Sequence, residues 1–257
     1  MSDLFRLDGR VAFVSGAAGH LGRAMTEALC DAGAHVILNG RDDAKLAAYE
    51  SELLGKGCSV ERVVFDVADV TAVRGFFSKL PRLDVLVNNA ISMTPKPFAE
   101  LEPADFEKTY MSSVTAAFES VRAARTALAA SGGASVINIA SMYGSVSPDA
   151  RIYAKPEQQS PFHYGPAKAA LIQLTRHLAA ELGPQNIRVN ALVPGPFPKD
   201  EVAKNDPAFA QRLAAKTMLG RTGQPGEIGG PLLFLATSAS SFVTGAAIAV
   251  DGGWTAW

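Results

Sequence analysis

A doubly wound α/β fold, with a seven-stranded parallel sheet and helices on both faces, is predicted by three observations. Short apolar runs of strand length alternate along the chain with longer helical patterns, which is the signature of repeated βαβ units. The short runs are continuously apolar rather than alternating, as expected of strands covered on both sides. The first run closes in a glycine-rich turn, Gly16 to Gly22, that opens a helix.

Taken in order, Val11–Ser15 is the first strand, and the pattern Leu21–Ala32 the helix that returns the chain to the same sheet edge. Val36–Leu38, Ala44–Leu54, Val60–Phe65, Val70–Leu80 and Val85–Val87 continue the alternation. Asp42 and Asp43 precede the second helix, where a carboxylate N-cap belongs. A long helical region, Pro103–Ala130, leads to Ser135–Ala140, Phe162–Leu182, Ile187–Val193 and Ala246–Val250. Ser147 to Pro161 is a polar, Pro-bearing loop, and Pro194 to Pro207 is expected to be irregular because its four prolines break both helix and ladder.

The 257 residues fit one domain, 1–257, since no Gly/Ser linker, low-complexity tract or charge block divides them. With 24 basic against 25 acidic side chains there is no global attraction to nucleic acid or an anionic membrane. No apolar stretch reaches the roughly 18 residues of a membrane span, and no basic-then-apolar leader begins the chain, so a cytoplasmic protein with a small-molecule partner is expected. Cys30 and Cys58 are too few for a disulfide framework, and the four histidines are scattered. No metal is implied.

Tyr164 and Lys168 stand four apart on a helical pattern. A phenol titrates near pH ~10, and lowering it by about 3 units takes roughly 4 kcal/mol of differential interaction, which an ammonium one turn away in a desolvated cleft can supply. The Gly16–Gly22 turn follows a strand and opens a helix, the setting in which free N–H groups receive a pyrophosphate.

With Asp66-Val67 after the third strand, Asn88-Asn89-Ala90 after the fourth, Ser141 after the fifth and Pro194-Gly195 after the sixth, the chain resembles the short-chain dehydrogenase/reductase family along essentially its whole length. The resemblance implies a Rossmann fold binding NADP or NAD at the carboxyl ends of the strands. It implies that Tyr164 is the general acid/base, Lys168 lowers its pKa and holds the nicotinamide ribose, and Ser141 hydrogen-bonds the substrate oxygen. Gly16, Gly19, His20, Leu21 and Gly22 would hold the pyrophosphate, Asp66 and Val67 would flank the adenine, Asn88 and Ala90 the adenosine ribose, and Pro194-Gly195 the nicotinamide.

Four departures stand out. His20 replaces a glycine of the family's turn, implying altered φ/ψ there, and Ile91 replaces the glycine after Asn88-Asn89-Ala90. Ser113 takes the place of a helix asparagine that helps hold a water relay to the lysine; the expectation is that Ser113 or a second water substitutes. The spacing from Ser141 to Tyr164 is longer than the family's, so the added loop emerges at the mouth of the cleft, where Arg151, Lys155 and His163 are candidates to bind an anionic or hydroxylated substrate.

Asn39-Gly40-Arg41 lacks the carboxylate that holds an adenosine 2′-hydroxyl, and Arg41 favours a 2′-phosphate, so NADP is expected with NAD as the alternative. The C-terminal Val250–Trp257 segment, Pro194–Pro198 and Asn39–Arg41 are similar to gluconate 5-dehydrogenase-like members, which implies a polyol, sugar acid or keto acid and an alcohol–ketone interconversion. A 3-oxoacyl-[acyl-carrier-protein] reductase is the enzymatic alternative. A dinucleotide-binding regulatory protein without turnover is the other, favoured by Ser113 and His20. The resemblance also implies a homotetramer.

Overall fold

The computed structural model describes residues 3–155 and 159–257. Its strands are β1 (Val11–Ser15), β2 (His35–Gly40), β3 (Ser59–Val64), β4 (Val85–Asn88), β5 (Ala134–Ile139), β6 (Ile187–Pro194) and β7 (Ala247–Val250). Between them run α1 (His20–Asp31), α2 (Asp43–Gly55), α3 (Val70–Phe77), α4 (Pro103–Tyr110), α5 (Ala116–Ala129), α6 (Tyr164–Leu182), α7 (Asp200–Asn205), α8 (Pro207–Ala215) and α9 (Gly229–Ala236).

All seven strands pair in parallel in the order β3-β2-β1-β4-β5-β6-β7. The chain winds outward from β1 to β3, then crosses back to begin β4 on the other side of β1. That reversal leaves a crevice beyond the carboxyl ends of β1 and β4. Alternate residues of β1 feed opposite cores, as the two-residue period of a strand requires. Val14 packs with Met25, Leu29, Leu46, Tyr49 and Leu232 on one face, and Phe13 with Val73, Phe77, Val121, Leu128 and Leu178 on the other.

Asp42 caps α2 by accepting from the Lys45 amide at 3.0 Å, while Asp43 accepts from Arg62 Nε at 2.9 Å. Neither carboxylate is directed by these contacts to a nucleotide. Cys30 and Cys58 both pack against the first core, and burial pushes the Cys30 thiol up to about 12, away from a reactive thiolate.

Three expectations are corrected. The helix expected over Pro103–Ala130 is interrupted by a π-helical turn, Met111–Thr115, between α4 and α5. Its serines are weak helix formers because their hydroxyls compete for backbone partners: Ser112 Oγ donates to Ser92 O at 3.1 Å and accepts from the Ser92 amide at 2.9 Å. The segment Pro194–Pro207 is not wholly irregular, since α7 lies within it and Pro207 begins α8, where Asp206 caps the Phe209 amide at 2.8 Å. A proline at a first helical position costs no hydrogen bond. The third helix stops at Phe77 rather than Leu80, short of Pro81.

Candidate active site

The glycine turn between β1 and α1 is shaped by Gly16, whose φ of +66° only glycine adopts without strain. His20, by contrast, is the first residue of α1 and helical, so the substitution does not alter the backbone there. Gly19 caps α1 in an extended conformation and offers no side-chain acceptor, whereas α2 and α3 are capped by Asp42 and Asp69. The first-turn N–H groups of α1 therefore lack an acidic or capping partner, and the donor set suits an anion.

Those groups border a cleft of ≈ 300 Å³ lined by Gly16, Gly19, His20, Leu21, Gly22, Asn39, Arg41, Asp66, Val67 and Ala90, together with Asn89, Ile91, Ser92 and Ser112. A second cavity of ≈ 280 Å³ is lined by Ser141, Tyr164, Lys168, Pro194 and Gly195, with Ile139, Ala140 and Phe197. The two share His20, Leu21, Asn89 and Ile91 as walls, which makes them one groove across the carboxyl ends of β1, β4, β5 and β6. At one end Arg41 Nη1 lies 3.3 Å from Asp66 Oδ2, a long and exposed ion pair. Asn39 is buried and holds the floor, donating to Phe65 O at 3.2 Å.

At the other end Ser141, two residues beyond β5, caps a short turn, its Oγ accepting from the Tyr143 amide at 3.2 Å. Tyr164 begins α6, and Lys168 follows one turn later with its Nζ donating to Ile139 O at 2.6 Å. The ammonium lies 5.7 Å from the centre of the Tyr164 ring. Helix α6 is registered on the sheet by a buried amide chain: Asn88 Nδ2 donates to Asn138 Oδ1 at 2.9 Å, and Asn138 Nδ2 to Thr175 Oγ1 at 2.9 Å.

Comparison with known proteins bears on this groove. Residues 16–255 match a family model described as enoyl-(acyl carrier protein) reductase. The galactitol 2-dehydrogenase (L-tagatose-forming) of Cereibacter sphaeroides is 36% identical over 260 residues, spanning 99% of this chain and 98% of that protein. The gluconate 5-dehydrogenase of Gluconobacter oxydans (strain 621H) is 32% identical, with 98% and 97% covered. The crystal structure of a gluconate 5-dehydrogenase from Burkholderia cenocepacia J2315 in complex with NADP and tartrate superposes with a TM-score of 0.87 at 32% identity, covering 99% of this chain and 98% of that one. The chain belongs to the short-chain dehydrogenase/reductase family.

As a member of this family, the chain is an NAD(P)-dependent oxidoreductase of gluconate 5-dehydrogenase-like type. Its groove departs from the sequence expectation at several residues. Asn88 does not line either part: its side chain turns into the sheet toward Asn138, and Asn89 takes its place, donating to Ser15 O at 2.9 Å and Gly16 O at 3.2 Å. A strand sends successive side chains to opposite sides, so two adjacent asparagines cannot both face the cleft. Ser113 is buried and its Oγ has no hydrogen-bond partner among the described residues, while its neighbour Ser112 reaches the cleft.

Burial pushes the Tyr164 phenol above its ordinary value, and a hydrogen bond with Ser141 works in the opposite direction. Burial also lowers Lys168, to about 8. At Tyr164 burial outweighs the hydrogen bond that lowers the phenol, and the Lys168 ammonium is turned to the Ile139 carbonyl.

The loop candidates are also revised. His163 is buried, with Nε2 3.2 Å from Thr94 O and Nδ1 2.9 Å from Thr109 Oγ1, so it joins α6 to the segment after β4 rather than facing a substrate. Arg151 is committed to Asp149, which also accepts from Lys216 Nζ at 2.9 Å. Lys155 is exposed beside residues 156–158, and that part of the Ser147–Pro161 loop lies outside the described residues. His20 does reach across the groove, its Nε2 3.1 Å from Phe197 O. No helix among the described residues is long and apolar enough to cross a membrane, and none of them form a group of three or more His, Cys, Asp or Glu that could hold a metal.

Proposed function

We propose that this chain is an NADP(H)-dependent enzyme that interconverts a secondary alcohol and a ketone in a polyol, sugar acid or keto acid, with Tyr164 as general acid/base. The observation that carries the reading is the meeting of Ser141, Tyr164 and Lys168 at one end of a groove whose other end holds the α1 N-terminus and Arg41. Relatives acting on galactitol and gluconate supply the substrate class.

The Gly16–Gly22 turn would hold the pyrophosphate, Arg41 the 2′-phosphate, Asp66 and Val67 the adenine, Ala90 and Asn89 the adjoining ribose, and Pro194-Gly195 the nicotinamide. NADP(H) bound there supplies or accepts the hydride. Ser141 donates a hydrogen bond to the substrate oxygen as charge develops on it. The Tyr164 hydroxyl, protonated at neutral pH, gives its proton to that oxygen in reduction, and its phenolate removes the alcohol proton in oxidation. Lys168 keeps an ammonium beside this proton path. Ser113, whose hydroxyl in the π-helical turn has no partner among the described residues, is assigned to a water relay that returns protons to the lysine.

Phe106, Tyr110, Met111 and Phe118 stand exposed along α4, the π-helical turn and α5, and we assign this face to a homotetramer, to be measured by sedimentation. The functional reading is tested by following NADPH and NADH oxidation against 5-ketogluconate, other keto-sugars and acetoacetyl thioesters. Turnover of a keto-sugar or keto acid with NADPH is expected. Turnover confined to the thioesters would replace the reading with a 3-oxoacyl thioester reductase, the activity named for a Pseudomonas aeruginosa relative 32% identical to this chain.

A further inference from the structure

We propose that the paired hydroxyls of Tyr143 and Tyr153 form a specificity subsite that binds a second hydroxyl group of the substrate beside the carbon that reacts at Ser141 and Tyr164. This inference rests on the polyol reading above and goes beyond it by naming the groups that would distinguish a polyhydroxylated substrate from a simple ketone.

Tyr143 is two residues beyond Ser141, and the same turn that directs the Ser141 hydroxyl fixes its backbone. Its carbonyl lies against the start of α6, where a Cβ on Gly165 would come within 2.8 Å of Tyr143 O. Glycine next to Tyr164 thus lets the backbone of the Tyr143 turn lie close against the first turn of α6, beside the catalytic tyrosine.

Tyr153 comes from the lengthened loop, and its hydroxyl is 2.8 Å from that of Tyr143. The loop is held from the other side of the mouth rather than left in solvent. Arg212 Nε of α8 donates to Ile152 O at 2.6 Å, Lys216 Nζ reaches Asp149, and Ile152 is buried with Met142, Leu213 and Trp254. The Tyr153 ring packs on Phe209 with centroids 5.6 Å apart, and the Tyr143 ring meets the edge of Trp254 at 6.5 Å. Both phenols are therefore locked by packing, the condition for a site that discriminates by hydrogen bonding.

Burial raises both phenols, so they are neutral at physiological pH. Two hydroxyls sharing one hydrogen bond use one of their two protons between them, and the Ser160 amide occupies a lone pair of the Tyr153 oxygen, which leaves one donor to be satisfied. A substrate hydroxyl, itself both donor and acceptor, completes that set, whereas a methylene at the same place leaves it unsatisfied. Arg151 and Lys216 are both committed to Asp149, and Arg212 to the Ile152 carbonyl. Tyr143 also borders a cavity of ≈ 500 Å³ under the loop, between Val146, Pro148 and Pro161.

The test uses full-length protein with NADP, and measures kcat/KM for a hexitol or its ketose and for a monofunctional secondary alcohol or its ketone, in wild type, Tyr153→Phe and Tyr143→Phe. The Phe variants keep the rings on Phe209 and Trp254, and NADPH affinity checks that each has folded. The expected result is a fall of about tenfold in the ratio of polyol to monofunctional kcat/KM in either variant, the size of one lost hydrogen bond, expressed mainly in KM. An unchanged ratio in both variants, with wild type active on polyols, overturns this inference and leaves the functional reading standing. A wild type silent on every polyhydroxylated substrate while reducing the simple ketone overturns both.

Discussion

Lys168 donates its ammonium to the carbonyl of Ile139 at 2.6 Å, a short bond inside a site where burial lowers the lysine to about 8. A neutral carbonyl compensates only part of what water gave that charge, so the ammonium is held in place yet easily lost. The charge is thus present at neutral pH, and its proton is exchangeable near the pH at which the enzyme would work.

A pH dependence follows with a definite sign. The ordinary lysine value is 10.5, and the folded value is lower. The penalty of the buried ammonium is complete below about 8, and this group's contribution to stability rises as pH increases from there toward the unfolded value. Activity moves the other way: kcat/KM for ketone reduction is expected to fall above about pH 8 as the ammonium is lost. A pH–rate profile flat across that value, or one whose high-pH limb survives in Lys168→Met, contradicts the assignment.

Arg41 provides a cofactor test. A Cβ on Gly40 would come within 3.3 Å of the Leu46 side chain, so packing on α2 disfavours a carboxylate there, and the Arg41–Asp66 pair is too long and exposed to hold the guanidinium strongly. Arg41→Ala is expected to weaken NADPH binding by about tenfold, roughly 1.4 kcal/mol, while NADH binding changes little. Calorimetric titration of both nucleotides measures this, and an equal loss for the two would show that Arg41 does not read the 2′-phosphate.

Ser113 yields two effects of opposite sign. Ser113 is 4% exposed and its hydroxyl has no hydrogen-bond partner among the described residues, and burying such a group costs about 1–3 kcal/mol. Ser113→Ala should therefore leave thermal stability unchanged or higher while turnover drops about tenfold and the pH profile shifts, as loss of a relay water requires. Stability and steady-state kinetics on one preparation decide it: unchanged kinetics remove Ser113 from the proton path.

Much of this arrangement was legible in the chain. The continuous apolar runs of β1, β4, β5 and β6 reflect burial on both faces, and the Gly16–Gly22 turn and the four-residue interval from Tyr164 to Lys168 are local patterns whose geometry follows from one strand end and one helix. What could not be read depended on contacts between distant segments. Whether Asn88 or Asn89 faces the cleft is set by strand register against Asn138, fifty positions on. The π-helical turn depends on the grip of Ser112 on Ser92. His163 looked available because nothing near it in sequence names Thr94 and Thr109 as its partners. The lengthened loop read as polar, yet it is fastened by Lys216 and Arg212 from α8 and the residues after it.

The role of Tyr164 is the central claim, and a single-turnover measurement tests it most directly. NADPH-loaded wild type and Tyr164→Phe would be mixed with a substrate that the wild type reduces, and the loss of NADPH absorbance followed in time. Removing a general acid costs about 10²–10⁴-fold, so the variant should bind NADPH with wild-type affinity and reduce the substrate at least about a hundredfold more slowly. Hydride transfer at the wild-type rate in Tyr164→Phe would contradict the account.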